Sequence, residues 1–378
     1  MCGKIFSDDF LFFDSPNNQS QEISDLSKKG YQLLKENKVA EATGCFQQIL
    51  SSDTENNYAL VGIGDASRKR GAFRDAIGFY QRCLQHHPGN NYALFGLADC
   101  FKSLNQYYKA IEIWEEYLEH DESNITVLTR VADAYRKLRD FKHAKETYQR
   151  VLEMEKTNPY AIIGLGHLHY DFKEYKDALF FWEKMLERYN MANVDIRVLT
   201  SIGNCYRKLK TFKNGIIYFE KAMEREPSNF YALFGLGDCF RGLNQPINAL
   251  KYWNQILQQD PRNKVILTRA GDAYYNLKEF DTATEYYNKA LNIEFDVYAL
   301  LGLAIIDKSR GLYEKAIESL NQLIQKDPKN HRLYLELADC YIKKSDKTRA
   351  VEVLHEFQHY GIRNNAVSAL LEELAISE

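Results

Sequence analysis

The chain has 378 residues, of which 45% are hydrophobic and 13% aromatic, so it contains enough apolar side chains for an extensive core. Its 49 basic and 52 acidic residues give a net charge of −3, whereas a nucleic-acid binder usually carries a basic surplus; we therefore expect no nucleic-acid partner. No stretch of about eighteen apolar residues occurs, and the start, MCGKIFSDDFLFF, lacks the basic and apolar regions of a signal peptide. We therefore expect a cytoplasmic protein with no membrane partner.

Residues 1–22 precede the repeating part of the chain and are predicted to form a flexible N-terminal extension and linker. Residues 6–16, FSDDFLFFDSP, combine acidic side chains with phenylalanines, and a polar run, PNNQSQ, overlaps their end. A disordered tail and a cap on the first folded unit are both compatible with this composition.

The rest of the chain repeats a unit of about 34 residues. Residues 92–106, YALFGLADCFKSLNQ, and residues 231–245, YALFGLGDCFRGLNQ, agree at twelve of fifteen positions. A shorter pattern, L-x-x-[LIVA]-[GA]-x-x-[YFHDS], recurs at steps of 33 to 37 residues. It begins at Leu60, Leu94, Leu128, Ile162, Leu199, Leu233, Leu267, Leu300 and Tyr334.

Each recurrence is followed by a turn position, an aromatic residue, a small residue three positions later and a large residue four positions after that. In one unit these residues are Gly71, Phe73, Ala76 and Tyr80. Spacings of three and four place residues on one stripe of a helix, and a small residue lets a second helix approach closely. Four of the seven prolines fall near the end of a unit, where a helix must stop: Pro88, Pro227, Pro261 and Pro328. Each unit is therefore predicted to be two helices joined by a short turn.

These patterns resemble the tetratricopeptide repeat family, from about Ile23 to about Asn364. Ten units begin near residues 23, 57, 91, 125, 159, 196, 230, 264, 297 and 331. The resemblance implies an all-α fold, a right-handed α-solenoid (superhelix) of antiparallel helix pairs over residues 23–364. Residues 365–378 are expected to form a capping helix and tail, which would cover the apolar face of the last unit.

The 139-residue offset between the two matching stretches equals four units of 34 residues plus three inserted residues around positions 192–194. Units three and four match units seven and eight, which indicates that a block of repeats was duplicated. Because the likeness includes residues that do not build the core, we expect two similar subsites along one groove.

The resemblance also implies where partners bind, since the first helix of each unit lines the concave side in this family. In this family the lining residues are usually at positions two, five, six, nine, twelve and thirteen of each unit. Over units two to ten, these six positions hold fourteen basic and eight acidic residues, although the whole chain is slightly acidic. Tyrosines recur among them. The expected peptide-binding groove consists of Tyr92, Phe95, Asp99, Lys102, Arg130, Asp133, Arg136, Arg207, Tyr231, Phe234, Asp238, Arg241, Arg269 and Asp272.

A basic groove with interspersed tyrosines favours an extended peptide that is acidic and contains aromatic residues, because charges steer association and rings supply contact area. The predicted function is thus a noncatalytic scaffold or adaptor that binds protein segments, without a cofactor. Residues 6–16 have the composition of such a ligand, so self-association through them, or occupation of the chain's own groove, is a further expectation.

Several alternatives remain open. Each groove aspartate could simply pair with the basic residue three positions later on the same helix surface. Single-stranded nucleic acid uses similar side chains, but the aspartates would repel its phosphates. A substrate-selecting subunit of a larger enzyme or assembly complex is the alternative function. The family's carboxylate clamp is not expected, because only Asn204 matches its motif.

One stretch could carry chemistry: HEFQH, residues 355–359, matches the H-E-x-x-H zinc pattern. Because Phe357 occupies a core position and no third ligand is evident, a zinc hydrolase is only a remote alternative. The pairs His86 with His87 and His167 with His169 are interpreted as turn and surface histidines rather than metal ligands. The seven cysteines contain no close Cys-x-x-Cys pair, which favours free, packed thiols.

Overall fold

The computed structural model describes residues 18–187 and 195–376. Over these residues it contains α-helices and no β-strand, which confirms the all-α prediction. The expectations about residues 6–16 and the insertion at 192–194 lie outside the described residues. Within the described part of the chain, no helix is long and apolar enough to cross a membrane.

The chain divides into two compact parts, residues 1–188 and residues 189–378. From here on we call them unit 1 and unit 2, and we call the 34-residue repeats helix pairs. The described part of unit 1 consists of five consecutive helix pairs, and helices adjacent in the chain pack against each other. Its helices are α1 (Asn18–Lys35), α2 (Val39–Ser52), α3 (Asn57–Lys69), α4 (Phe73–His86), α5 (Asn91–Ser103), α6 (Tyr107–His120), α7 (Ile125–Lys137), α8 (Phe141–Met154), α9 (Pro159–Asp171) and α10 (Tyr175–Leu186).

Unit 2 is built in the same way and ends with one additional helix. Its described helices are α11 (Ile196–Lys208), α12 (Phe212–Arg225), α13 (Phe230–Gly242), α14 (Pro246–Gln259), α15 (Lys264–Asn276), α16 (Phe280–Leu291), α17 (Val297–Ser309), α18 (Tyr313–Lys326), α19 (His331–Lys343), α20 (Lys347–Gln358) and α21 (Asn365–Ile376).

Most second helices bury a large ring against the first helices. Tyr80 of α4 is fully buried, and a Cβ added at Gly64 of α3 or at Gly96 of α5 would lie 2.6 Å or 2.4 Å from its ring atoms. Such distances are too short for any side chain larger than hydrogen. The small and aromatic residues that alternate in the sequence therefore form the contacts between successive helix pairs.

The boundaries of the pairs follow from local chemistry. The turns inside pairs use a left-handed residue, such as Gly71 (φ 78°) or Asn105 (φ 58°), at positions that the sequence pattern assigns to loops. Most first helices begin after an asparagine whose side chain accepts a backbone N–H, as Asn56 does from Ala59 at 3.0 Å. This capping satisfies part of the unpaired backbone at each helix start.

The first and last helices of the described chain can be compared with the boundaries that the sequence predicts. Helix α1 begins at Asn18, so residues 18–22 are helical, although the sequence assigns them to the linker. Their polar residues lack the apolar periodicity that reveals a helix. At the other end, Val367 and Leu374 of α21 are buried in the core of the last pairs, together with Leu354 and Phe357.

Candidate functional site

The candidate site is the side of each unit formed by the first helices of the pairs, which we call the first-helix face. In unit 1, α3 contacts α1 and α5, and α7 contacts α9; in unit 2, α11 contacts α13, and α15 contacts α17. Polar side chains on one first helix therefore lie within reach of those on the next.

The first-helix face of unit 1 is centred on Asp99 of α5, whose side chain is only 10% exposed. Arg68 of α3 donates from Nη1 to Asp99 Oδ2 at 3.2 Å, and Arg130 of α7 donates from Nη1 to Oδ1 at 2.7 Å. The guanidinium carbon of Arg130 lies 4.8 Å from the centre of the Phe95 ring. We call Arg68, Asp99, Arg130 and Phe95 the Asp99 cluster; it joins three consecutive first helices.

Unit 2 contains the same arrangement around Asp238 of α13, whose side chain is 1% exposed. Arg207 of α11 donates from Nη1 to Asp238 Oδ2 at 2.8 Å, and Arg269 of α15 donates to Oδ1. The guanidinium carbon of Arg269 lies 4.7 Å from the centre of the Phe234 ring. Arg207, Asp238, Arg269 and Phe234 form the Asp238 cluster, which lies 139 positions after the Asp99 cluster, residue for residue.

Further ion pairs extend these clusters along each unit. In unit 1, Arg136 Nη1 lies 2.6 Å from Asp171 Oδ2 of α9, and Asp133 accepts from the Tyr148 hydroxyl at 2.6 Å. In unit 2, Asp272 accepts from the Tyr287 hydroxyl at 2.8 Å. Arg136 is thus held by a neighbouring first helix, and Asp133 and Asp272 are held by tyrosines of the second helices.

The tyrosines near the starts of the first helices stand at the edge of this face. Tyr92 is 69% exposed and Tyr231 is 65% exposed, and the corresponding residues Tyr160 and Tyr298 are exposed to a similar extent. Large exposed rings are costly to leave in water, and they supply contact area when a partner covers them.

The alternative in which each aspartate pairs with the base three positions later accounts for only part of what is found. Asp65 and Arg68 do pair in this way at 3.1 Å, and Asp133 and Arg136 at 3.4 Å. The shortest contacts of Asp99, however, run to other helices, 31 residues away in each direction. A regular interval of 31 residues between arginine and aspartate is the sequence signal that would have revealed this pairing.

The interpretation of His169 as a surface residue is wrong. Its ring is buried, stacks on Phe181 with centroids 5.3 Å apart, and has Nδ1 at 2.6 Å from Glu174 Oε2. It occupies the position where other pairs stack an aromatic residue, such as Phe240 on Tyr252. Among the described residues, a metal-compatible group of three side chains occurs only at His169, Glu174 and Asp177, and two of these are exposed acids.

The HEFQH stretch does not gather metal ligands. Helix α20 ends at Gln358, Phe357 is fully buried, and His355 Nδ1 lies 3.1 Å from Gln358 Oε1. His359 follows the helix as its cap residue. This stretch is therefore the end of a packing helix.

The cysteines that the structure describes are buried and form no disulfide among themselves, as expected. Burial raises the pKa of the Cys83, Cys100 and Cys340 thiols to about 11 and that of Cys239 to about 12. Thiolates are the reactive form, so these cysteines act as small core residues rather than as redox groups.

Tandem antiparallel helix pairs that stack through small residues and rings, with a polar face on their first helices, define an α-solenoid repeat protein. Models of the tetratricopeptide repeat match residues 28–91, 196–229, 231–263, 266–297 and 309–373, which together make up more than half of the chain. The chain belongs to the tetratricopeptide repeat family. A model described as anaphase-promoting complex, cyclosome, subunit 3 matches residues 69–151.

Solved structures with the same architecture include a tetratricopeptide repeat protein from Parabacteroides merdae. It is 16% identical, with a TM-score of 0.54, over 67% of this chain and 99% of that protein. Yeast Tom70 is 13% identical with a TM-score of 0.44, over 95% of this chain and 96% of its own. YrrB, described as a TPR protein with an unusual peptide-binding site, is 22% identical with a TM-score of 0.43, over 50% of this chain and 95% of its own. No curated protein matches the chain.

Proposed function

We propose that this chain is a noncatalytic scaffold whose first-helix faces bind extended partner segments that combine acidic and aromatic side chains. The observation that carries this proposal is the Asp99 cluster and its counterpart around Asp238. In each, two arginines share one buried carboxylate, and one of them lies over a phenylalanine ring. Around Asp238 this leaves one positive charge over, whereas around Asp99 the adjacent Asp65 also pairs with Arg68.

The fixed geometry of these arginines favours binding. Their side chains are 19% to 35% exposed, so they are partly accessible to solvent while the shared aspartate holds them in place. A ligand carboxylate then meets donors that lose little rotational freedom on binding. Partial burial also weakens the competition from water and salt.

The aromatic preference rests on the exposed tyrosines. Tyr58, Tyr92 and Tyr160 stand at equivalent positions of unit 1, and Tyr231 and Tyr298 at equivalent positions of unit 2. A segment that lies across several first helices would contact more than one of these rings and more than one arginine. This arrangement favours an extended ligand over a compact one.

Residues 6–16 of the chain itself carry the side chains that such a ligand needs, namely Asp8, Asp9 and Asp14 among phenylalanines. Within the proposal, this segment occupies a first-helix face of its own chain or of a second copy. Because the segment is attached to the same chain, its local concentration near a first-helix face is raised. Occupation would mask the site in one case and produce self-association in the other.

The test uses a fluorescent peptide with the sequence FSDDFLFFDSP and measures its affinity for the full chain by anisotropy. Arg130→Glu together with Arg269→Glu should weaken binding at least about tenfold, since each change replaces an attraction with a repulsion. The matched control changes two second-helix arginines, Arg82→Glu and Arg349→Glu, with the same effect on net charge. Equal affinities of the two double variants would refute the assigned face.

Removing residues 1–16 extends the same experiment. If the segment occupies the site, the shortened chain binds the peptide more tightly or loses self-association in sedimentation. Proteins from a source lysate that are retained by the wild type but not by the Arg130 and Arg269 variant would then include any enzyme that uses this chain as its substrate-selecting subunit.

A further inference from the structure

The Asp99 and Asp238 clusters are near copies, but they differ at a position that changes their charge. Asp65 of α3 stands next to Arg68, and its counterpart 139 positions later, next to Arg207, is Asn204. Both side chains contact their arginine: Arg68 Nη2 lies 3.1 Å from Asp65 Oδ1, and Arg207 Nη2 lies 3.0 Å from Asn204 Oδ1. The hydrogen bond is kept in unit 2 while one negative charge is absent.

A second difference accompanies the first. In unit 1 the buried Tyr80 donates its hydroxyl to Asp65 Oδ1 at 2.7 Å. The counterpart of Tyr80 in unit 2 is Phe219, which is fully buried and has no hydroxyl. The carboxylate and its hydroxyl donor are thus exchanged together for an amide and a plain ring. This joint change leaves no buried hydroxyl without a partner.

The surroundings of the two shared aspartates reinforce the contrast. In unit 2, Arg241 Nη2 lies 3.5 Å from Asp238 Oδ1, so three arginines surround one carboxylate. The residue at the position of Arg241 in unit 1 is Lys102. Asp272 lies near Arg241 and Arg269, and its counterpart in unit 1 is Asp133, so these two carboxylates do not distinguish the units. The charge difference that remains is the carboxylate of Asp65, which is absent from unit 2.

The ionisation of the arginines reflects this difference. Burial and the nearby Arg207 lower the pKa of Arg269, although Asp272 acts against this shift. For Arg68, burial acts in the same direction, but Tyr80, Asp65 and Asp99 outweigh it and raise its pKa. Arg207 and Arg269 thus repel each other around Asp238, and an additional anion would relieve this repulsion.

We propose that the Asp238 cluster, with Arg241, is the stronger of the two subsites for a ligand carboxylate, and that it anchors an acidic side chain of the bound segment. The Asp99 cluster is then a weaker auxiliary subsite. This inference rests on the proposed function, because it ranks two positions on the faces assigned there. Phe234, beneath Arg269, offers the ring surface beside which a ligand phenylalanine would lie.

The test examines each subsite in the full chain by replacing one arginine of the other subsite with a neutral residue. Calorimetric titration with the peptide FSDDFLFFDSP is carried out on Arg130→Gln, which leaves the Asp238 cluster intact, and on Arg269→Gln, which leaves the Asp99 cluster intact. We expect Arg269→Gln to bind about three to ten times more weakly than Arg130→Gln, the range that one partly buried charge pair supplies. A peptide with asparagine in place of its three aspartates should show no such ranking.

Reciprocal exchanges then move the charge difference between the units. In the Arg130→Gln chain, Asn204→Asp with Phe219→Tyr should weaken binding about three- to tenfold; in the Arg269→Gln chain, Asp65→Asn with Tyr80→Phe should strengthen it by a similar factor. A gain of affinity cannot result from misfolding. If the peptide binds but neither exchange changes its affinity, the ranking is wrong and the proposed function stands. If no form of the chain binds the peptide, the proposed function fails and the ranking fails with it.

Discussion

At the scale of single residues, the groove aspartates are structural as well as electrostatic elements. A surface pair three residues apart on one helix contributes about 0.2–0.5 kcal/mol. Asp99 and Asp238 are instead almost fully buried between arginines of the preceding and following first helices. Removing one partner of such a buried group costs about 3–5 kcal/mol, because the remaining charge stays desolvated. The same contacts that orient the arginines therefore also fix the offset between successive pairs.

Asp272 gives a prediction about how stability depends on pH. Burial raises the pKa of its carboxyl, although the Tyr287 hydroxyl and Arg241 act against the shift. A raised pKa in the folded state means that ionising this carboxyl destabilises the fold. The destabilisation is absent below the ordinary carboxyl pKa of about 4, grows as the pH rises towards the folded-state pKa, and is complete above it. Asp272→Asn, which retains an oxygen acceptor for Tyr287, should therefore increase the free energy of unfolding at pH 7 and leave it unchanged near pH 3.

Urea denaturation over a series of pH values measures this effect. Asp281→Asn is the matched control, because the Asp281 side chain is 97% exposed and its pair with Arg310 lies at the surface. We expect no pH-dependent gain for it. A loss of stability in Asp272→Asn at neutral pH would show that the Arg241 interaction outweighs burial.

At the scale of helices, the contact between a small residue and a ring decides whether two pairs can stack. Gly96 of α5 and Gly78 of α4 are both helical and lie near Tyr80 in the chain or in space. A Cβ at Gly96 would meet the Tyr80 ring at 2.4 Å, whereas a Cβ at Gly78 has nothing within 4 Å. Gly96→Ala should lower the free energy of unfolding by about 1–3 kcal/mol through overpacking.

Gly78→Ala is the matched control and should have the opposite sign. Alanine has the higher helix propensity, so the free energy of unfolding should rise by up to about 1 kcal/mol. Both variants can be compared by the same urea titration of the full chain. If Gly96→Ala were as stable as Gly78→Ala, the first helices would not approach the ring as closely as these distances state.

The sequence predicts the helix pairs because their rules are local. The left-handed turn at Asn105, the small residue Ala76 and the ring of Tyr80 each follow from the spacing of residues within one helix pair. The pairing of Arg68 with Asp99 does not, because it depends on how far one first helix is displaced along the next. The burial of His169 was missed for the same reason: its ring takes an aromatic position, and only the neighbouring helices show that this position is closed.

At the scale of the whole molecule, the two units carry matching clusters, as a duplicated block of repeats predicts. In repeat proteins each pair contacts mainly its neighbours, so a change in one block has little effect on a distant one. The charge difference between the Asp99 and Asp238 clusters could therefore arise without altering the packing of the other unit. The sequence records this as Asn204 and Phe219 in place of Asp65 and Tyr80.

The last prediction concerns helix α21, whose Val367 and Leu374 are buried against the final pairs of unit 2. Deleting residues 365–378 should expose that apolar surface and weaken the pairs in order of proximity, because stability passes between neighbours. Hydrogen exchange should lose protection most in α19 and α20, less in α17 and α18, and not at all in α3 to α8 of unit 1. Ile376→Ser, which changes a residue that is 85% exposed, serves as the control and should leave every helix protected. Equal loss of protection in both units would mean that the chain unfolds as one cooperative block, and unchanged protection would mean that α21 does not cap the last pair.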